Sequence, residues 1–329
     1  MSWRIGSRPV RSVLITRLRY LGDIVMSTVL IDVLRQGDPA LRIGYLCEDE
    51  YADVLAARSG IDRLHRLATR RRGRDATARR TDGGDPGQAA GTLRTIADLR
   101  RERYDLAVDL FFNPRSAWLL RLAGIPARIG GTRRWRGRLY TRRVIRAEME
   151  AAAPRVPALA PGGLGEHLCR LAPLTHVPSG RGFADWLGHT FGPGDLRPRL
   201  EGSPAGERGH DAALADLGLT DGRPYLLLAP CATWPTKEWP RERWEELVRL
   251  LSGEVDLPLV VMVAPGRAED WRELVRPNPE GLGGVLPALP LADALAVAAG
   301  ARGMVTVDGG LMHAAVGYGV PTVALFGPT

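Results

Sequence analysis

Gly303-Met-Val-Thr-Val-Asp-Gly-Gly-Leu-Met-His313, continued by Val320-Pro-Thr-Val-Ala-Leu-Phe-Gly-Pro-Thr329, is the stretch that decides the fold. The apolar, β-branched run up to Val307 reads as a buried strand. Asp308, Gly309 and Gly310 break it. Leu311 to Gly317 reads as a short helix, and Thr322 to Phe326 as the next strand. Strand, glycine turn, helix and strand form the repeating unit of an open parallel sheet, whose ligands sit beyond the carboxyl ends of the strands. Such a turn presents backbone N–H groups at a helix N-terminus, which suits phosphate. His313, in the first turn of that helix, can point the same way.

The same alternation extends back through the chain. Tyr225–Ala229 and Leu257–Val263 read as strands, Arg241–Leu251 and Leu291–Ala299 as helices, and a further helix starts at Ala268. Nearer the N-terminus, Val10–Thr16, Leu41–Cys47, Tyr104–Phe111 and Ala127–Gly130 read as strands. Ile24–Arg35, Tyr51–Arg58, Thr92–Arg103 and Ser116–Ala123 read as the helices between them. Alternation of this kind predicts an α/β protein of two Rossmann-like, doubly wound domains facing across a cleft. The expected division is residues 1–178, a Pro/Gly-rich connector over 179–222, and residues 223–329. Residues 68–91 lack periodicity and are Arg- and Gly-dense, which predicts a mobile insertion.

Hydrophobic content of 45% and charged content of 25% fit a soluble globular chain. No apolar run reaches the length of a membrane span, and the first residues lack the apolar core of a signal peptide. Three scattered cysteines (Cys47, Cys169, Cys231) make neither a disulfide framework nor a zinc site, so the cytoplasm is the expected compartment. The net charge of +8 has three readings: a general taste for Arg with much of the charge in one loop, attraction to an acidic glycolipid or membrane surface, or nucleic acid. No nucleic-acid-binding signature is present, which removes the third. Arg133–Arg146 interleaves arginines with Trp135 and Tyr140. It reads equally as the wall of a groove for an acidic ligand and as a solvated loop.

Asp23 stands just before the first helix, in Arg17-Leu-Arg-Tyr-Leu-Gly-Asp23. Its ordinary role there is an N-cap. Its functional role would be a carboxylate at the mouth of a βα turn. With Trp234-Pro-Thr-Lys-Glu-Trp-Pro240 and Val307-Asp-Gly-Gly-Leu-Met-His313, that turn makes three punctuated loops after strands. In order and spacing these loops resemble glycosyltransferase family 9, the lipopolysaccharide heptosyltransferase family. Similarity extends through Tyr104–Asp109, Arg128–Gly130, Glu166-His167 and Gly319–Thr329.

The resemblance implies a GT-B fold with an N-terminal acceptor domain and a C-terminal nucleotide-sugar domain. It implies inverting, metal-independent sugar transfer, most readily of heptose from ADP-heptose to a lipopolysaccharide core or related envelope glycan. No cofactor is expected besides the donor substrate. The expected partners are the nucleotide-sugar and an acidic glycolipid or polysaccharide, with peripheral contact at the inner face of the cytoplasmic membrane.

By motif position, Asp23 is the expected base, a role that takes precedence over capping and is compatible with it. Thr233, Lys237, Gly309, Gly310, Leu311 and His313 are expected around the donor diphosphate. Asp308 either holds the turn or touches the donor sugar, and Glu269 lies where the nucleoside is expected. Trp234 and Trp239 read as residues that shape their loop. The family commonly carries a hydroxyl residue near Gly309, so backbone N–H groups must substitute here. Family members also continue beyond the position of Thr329 with a segment that packs back on the first domain, so the donor domain is expected without that extension. Alternatives are a transferase for a different nucleotide-sugar and a non-catalytic nucleotide-sugar-binding protein. A dehydrogenase is disfavoured because Leu21-Gly22-Asp23 is not G-x-G-x-x-G.

Overall fold

A computed structural model describes residues 2–68, 86–131, 134–144, 163–192, 194–202, 204–220, 222–275 and 283–327. The chain forms two compact units, Met1–Ala52 with Arg58–Pro198, and Asp53–Ala57 with Arg199–Thr329.

The first unit opens with a hairpin, β1 (Trp3–Ile5) and β2 (Arg8–Val10), and then enters β3 (Ser12–Thr16), buried at all five residues. Two short helices follow, α1 (Leu21–Ser27) and α2 (Val29–Gly37), then β4 (Arg42–Glu48) and β5 (Arg63–Leu67). Next come α3 (Pro86–Glu102), β6 (Leu106–Asp109), α4 (Pro114–Leu122), β7 (Ala127–Gly130) and β8 (Arg142–Arg143). The unit closes with α5 (Gly163–Leu168), β9 (Leu174–His176), β10 (Arg181–Gly182) and α6 (Phe183–Thr190). Six strands form a parallel sheet in the order β5-β4-β3-β6-β7-β8. Counted along the chain this is 3-2-1-4-5-6, the dinucleotide-fold order, and its switch point lies between β3 and β6.

The second unit contains α7 (Pro204–Ala215), β11 (Leu226–Ala229), α8 (Arg241–Glu254), β12 (Leu259–Val261) and α9 (Ala268–Trp271). It continues with β13 (Gly284–Val285), α10 (Leu291–Gly300), β14 (Gly303–Val307), α11 (Gly310–Gly317) and β15 (Thr322–Leu325). Its parallel sheet runs β13-β12-β11-β14-β15, so its switch point lies between β11 and β14. Side-chain alternation along β11 feeds two cores. Leu227 and Ala229 join one cluster with Val260, Met262 and Met304, whereas Leu228 packs with Trp244, Val261 and Val307 on the other face. Both faces are covered, as a parallel sheet requires.

Several sequence expectations shift. Asp23 is not an N-cap: α1 starts at Leu21, three residues before the expected Ile24, and the carboxylate sits in its first turn. The single helix expected over Ile24–Arg35 is two helices meeting at Thr28, whose hydroxyl bonds back to the Val25 carbonyl at 2.7 Å. Tyr51–Arg58 is not an α-helix, and a 3-10 helix over Asp49–Leu55 takes part of that stretch. β5 lies where the Arg-rich composition hid a strand. α3 begins at Pro86, inside the stretch expected to be an insertion, and the rest of that insertion, 69–85, lies outside the described residues.

The connector expected over 179–222 holds α6 in the first unit and α7 in the second. The sequence also concealed a small antiparallel sheet, β10-β9-β1-β2. Trp3 anchors it, fully buried, with ring contacts to His176 and Trp186 at 5.1 and 4.8 Å. A Cβ on Gly37 would come within 2.2 Å of that indole, so only glycine fits there. Among the described residues no helix is long and apolar enough to cross a membrane.

Candidate active site

In the first unit the switch point is built by the turn after β3 and the loop after β6. Arg17, one residue past β3, reaches in two directions. Its Nη2 meets Asp23 Oδ2 at 2.6 Å, and its Nη1 donates to the Leu110 carbonyl, just past β6, at 2.5 Å. Arg17 thus ties the first strand's turn to the fourth strand's loop. The Tyr20 backbone N–H, 3.4 Å away, also approaches Asp23 Oδ2. Phe111 lies 5.3 Å from the Arg17 guanidinium and 5.5 Å from that of Arg19, stacking geometry that keeps both cations over one ring.

Beneath this loop Asp109 is fully buried. It accepts from Tyr140 Oη at 2.6 Å and from the Phe111 and Phe112 backbone N–H groups at 3.0 and 3.3 Å. Burial pushes its carboxyl up, and these hydrogen bonds oppose that. Tyr140 can lie there because residue 130 is glycine: a Cβ would meet its ring at 2.5 Å. His167 on α5 is also buried, within reach of the Arg17 and Asp23 charges. Burial first, then the Arg17 charge, lowers its pKa to about 4, with Asp23 pulling the other way, so the imidazole is neutral at neutral pH. Thr16 Oγ1, Arg17 Nε and Arg19 Nε are buried without hydrogen-bond partners, half of the six such atoms among the described residues. Unmet polar demand is therefore concentrated in this turn.

In the second unit the switch point is spanned by one ion pair. Lys237 Nζ, in the loop after β11, lies 2.5 Å from Asp308 Oδ2, at the end of β14. Both are partly exposed. A 3-10 turn over Pro235–Lys237 shapes the lysine's loop, with the Lys237 N–H donating to the Trp234 carbonyl at 2.9 Å. Glu238 ties that loop down. Its Oε1 accepts from the Ala232 N–H at 3.1 Å and meets Arg267 Nη1, from the loop after β12, at 3.2 Å. Trp239 packs edge-on against Trp244 with ring centroids 5.7 Å apart, so it does shape the loop. Trp234 is 66% exposed.

The Asp308 N–H donates to the Leu325 carbonyl at 3.2 Å, which fixes the start of the turn. Gly309 caps α11 in an extended conformation, φ −158°, that any residue can adopt. A Cβ there would meet nothing closer than 3.8 Å. What glycine provides at 309 is bare backbone rather than a special dihedral. Gly310, Leu311 and Met312 form the first turn of α11, and His313 follows, half-buried. The Leu311 side chain packs on the core, so its backbone N–H is the part available to a ligand.

Thr233 is exposed in the β11 loop. Glu269 stands on α9, past β12, paired with Arg272 and largely solvent-facing. The end of the second strand is where dinucleotide folds place a ribose-binding acid. The second unit therefore collects Thr233, Lys237, Asp308, Gly309, Gly310, Leu311 and His313 around β11 and β14. Glu269 stands one strand away, and Asp23 belongs to the other unit.

Sequence reasoning missed the parts that hold these groups: Asp109, Phe111 and Tyr140 in the first unit, Glu238 and Arg267 in the second. Arg17 and Glu238 stood inside the quoted motifs, so adjacency was an available signal. Asp109 and Tyr140 each stood in a stretch read from the sequence, but nothing in the sequence joined the two. No group of three or more His, Cys, Asp or Glu residues that could hold a metal occurs among the described residues.

Comparison with known proteins bears on the fold and the family. The model of glycosyltransferase family 9 (heptosyltransferase) matches residues 195–329. Lipopolysaccharide heptosyltransferase 1 of Pseudomonas aeruginosa is 29% identical over 323 residues, covering 96% of this chain and 79% of the relative. The protein of the same name from Escherichia coli K12 is 24% identical over 96% of this chain and 88% of its own length. Among solved structures, E. coli ADP-heptose lps heptosyltransferase II aligns with a TM-score of 0.68 at 22% identity, covering 97% of this chain and 85% of that one. E. coli heptosyltransferase WaaC with ADP aligns at 0.66 and 22%, covering 97% and 88%. The structural likeness shows the shared GT-B fold. Sequence similarity to lipopolysaccharide heptosyltransferases runs along most of the chain, residues 195–329 match glycosyltransferase family 9, and together these matches indicate a glycosyltransferase.

Proposed function

We propose that this chain transfers a heptose from ADP-heptose to a lipopolysaccharide core acceptor, with inversion and without a metal ion. The first unit would take the acceptor and the second the nucleotide-sugar. The observation that carries the reading is the Lys237–Asp308 pair across the second unit's switch point, beside the glycine-capped α11. A diphosphate there finds a cation and helix N–H groups, the donors that a developing anion needs. The two relatives, lipopolysaccharide heptosyltransferases by name, supply the heptose and the lipopolysaccharide, and two solved neighbours are an ADP-heptose heptosyltransferase and a heptosyltransferase with ADP.

The chemistry assigns each group a role. Asp23 takes the proton of the acceptor hydroxyl as its oxygen bonds to the donor's anomeric carbon. The bond from that carbon to the diphosphate breaks, and its electron pair goes to the phosphate oxygen. The sugar passes through an oxocarbenium-like transition state. Charge accumulates on the leaving diphosphate, where Lys237 and the amides of Gly310 and Leu311 stabilise it, with Thr233 and His313 adding hydrogen bonds. Lys237 would exchange Asp308 for phosphate, freeing the Asp308 carboxylate for the donor sugar. Arg17 engages only Oδ2 of Asp23, which leaves Oδ1 to the acceptor hydroxyl. Glu269 would meet the ribose.

The test is thermal stabilisation and transfer with a panel of nucleotide-sugars. Native-state binding must raise the melting temperature. ADP-heptose should give the largest shift and the β-linked or α-linked product opposite to the donor's anomeric configuration, undiminished by EDTA. A larger shift and faster transfer with another nucleotide-sugar would replace the donor while leaving the fold reading intact.

A further inference from the structure

Tyr140 belongs to the basic stretch that reads equally as a groove wall and as a solvated loop, and its side chain does neither. It is buried just past the 3-10 helix Arg134–Leu139, in space that Gly130 leaves open. There its hydroxyl donates to Asp109 Oδ2, while Asp109 Oδ1 takes the Phe111 and Phe112 N–H groups. The Ser116 hydroxyl also bonds the carboxyl. Phe112 needs such anchors, because its backbone is left-handed, φ +51°, a region that residues with a side chain rarely occupy. Its ring is held as well: the Arg170 guanidinium lies 4.1 Å from the ring centroid, and Arg170 Nη1 donates to the Val144 carbonyl at 3.0 Å. The turn fixed in this way aims the Leu110 carbonyl and the Phe111 ring at Arg17, which grips Asp23.

We propose that Tyr140 is a positioning residue for sugar transfer, acting on Asp23 through Asp109, the Leu110–Phe112 turn and Arg17, a role that rests on the reading of Asp23 as the base. Without the hydroxyl, a buried carboxylate loses a donor, and an under-bonded buried charge is costly. The carboxyl can respond by taking up a proton or by turning away from the amides, and burial already pushes it towards protonation. Either change loosens the Phe111 and Phe112 contacts, frees Phe112 to leave its left-handed conformation and withdraws the Leu110 carbonyl from Arg17. The guanidinium then pivots about one partner instead of spanning two, and Asp23 Oδ1 loses its fixed direction.

The test uses the full chain, ADP-heptose and a lipopolysaccharide core acceptor lacking heptose. Y140F keeps the ring that fills the space beside Gly130, and it should lower kcat by about 10- to 100-fold, the scale for a catalytic group misplaced by ~1 Å. The KM for ADP-heptose should stay within about twofold, since the donor groups lie in the second unit. D109N/Y140F should recover much of the lost kcat, because an amide keeps an oxygen for the two N–H groups without a charge to satisfy. In a D23A background Y140F should cost under about twofold, because changes that act through one group do not add. A readout without sugar follows the buried Arg17 Nε–H by NMR, its signal assigned with R17K: Y140F should speed its exchange by at least about tenfold. Unchanged kcat in Y140F beside a crippled D23A, losses that multiply in D23A/Y140F, or unchanged Arg17 exchange would each overturn the role of Tyr140. A D23A variant as fast as wild type, or a wild type that transfers nothing from ADP-heptose, would instead sink the reading on which that role rests, and the Arg17 signal would still decide whether Tyr140 fixes Arg17.

Discussion

Each unit spans its switch point with one cation, but the two cations differ in kind. In the first unit Arg17 holds a carboxylate and a backbone carbonyl at once, under Phe111, with its side chain mostly buried. In the second, Lys237 holds a single carboxylate, that of Asp308. A guanidinium is a planar fork that fixes two partners, whereas an ammonium is a flexible point charge that can change partners. The first arrangement suits a group that must stay oriented while a proton moves. The second suits a cation that must be released to an incoming phosphate. The same topology thus carries a fixed half-site and an exchangeable one.

The sharpest way to break this comparison is to remove the group that the fixed half orients. D23A should lower kcat by about 10²–10⁴, the range for a lost general base, with donor affinity nearly unchanged. Isothermal titration with nucleotide beside a transfer assay separates the two quantities. Equal losses in both would mean that Asp23 does not act as the base.

The next effect is on stability, and it falls on the first unit. His65 is buried on β5 with its Nε2 2.9 Å from Tyr104 Oη, and burial lowers its pKa to about 4, as for His167. Above pH 6.5 both histidines are neutral in the folded and unfolded states. As pH falls from 6.5 towards 4, the unfolded chain binds protons that the folded chain refuses, so stability falls with pH. A shift of this size is worth up to about 3 kcal/mol for each histidine. Hydrogen exchange at pH 7.5 and 4.5 should therefore show protection lost first around β5 and α5, while β11 and β14 keep theirs. Simultaneous loss in both units would contradict the assignment, and H65Q/H167Q should flatten the pH dependence.

Replacing the exchangeable cation has a smaller and more selective effect. K237A should weaken nucleotide binding by about 10- to 100-fold, in keeping with one charge-assisted contact to phosphate. Stability should change by under ~1 kcal/mol, because Lys237 and Asp308 are both partly exposed. If the affinity measured by calorimetry is unchanged, Lys237 serves the loop rather than the ligand. D308N should then give the same stability change as K237A and no change in binding.

The sequence made the alternation of strand and helix legible, because buried parallel strands are largely continuous apolar runs that give way to polar or glycine- and proline-punctuated turns. β3, β6, β11 and β14 all read this way, and with them the positions of Asp23, Lys237 and Asp308. It did not show what lies beside what. Asp109 looked like an interior residue of an ordinary strand, Tyr104–Phe111, and only the fold brings Tyr140 to it from 31 residues away. β5 was hidden because two of its five residues, Arg63 and Arg66, are arginine and the stretch runs straight into an Arg-rich segment. The β1/β9 sheet was hidden because its strands are three residues long and pair across most of the unit. Helix starts also slipped: Asp23 resembles an N-cap, yet Leu21 and Gly22 precede it inside the helix. Capping residues and first-turn acids are the same residue types, so composition does not separate them.

Glu269 should give the smallest effect and the finest test of the second half-site. Its side chain is 77% exposed and its partner is Arg272, three residues on in sequence. An exposed pair of this kind contributes little, so E269A should alter stability by less than ~0.5 kcal/mol. If the carboxylate meets the ribose hydroxyls, as its place after the second strand implies, E269A should still weaken nucleoside diphosphate binding severalfold and leave inorganic diphosphate binding alone. K237A should weaken both. A double variant whose losses in nucleotide affinity add would mean that Lys237 and Glu269 grip separate parts of one ligand. Equal losses for nucleotide and diphosphate in E269A would move Glu269 out of the nucleoside site and leave the exchangeable half-site built on Lys237, Asp308 and the α11 amides alone.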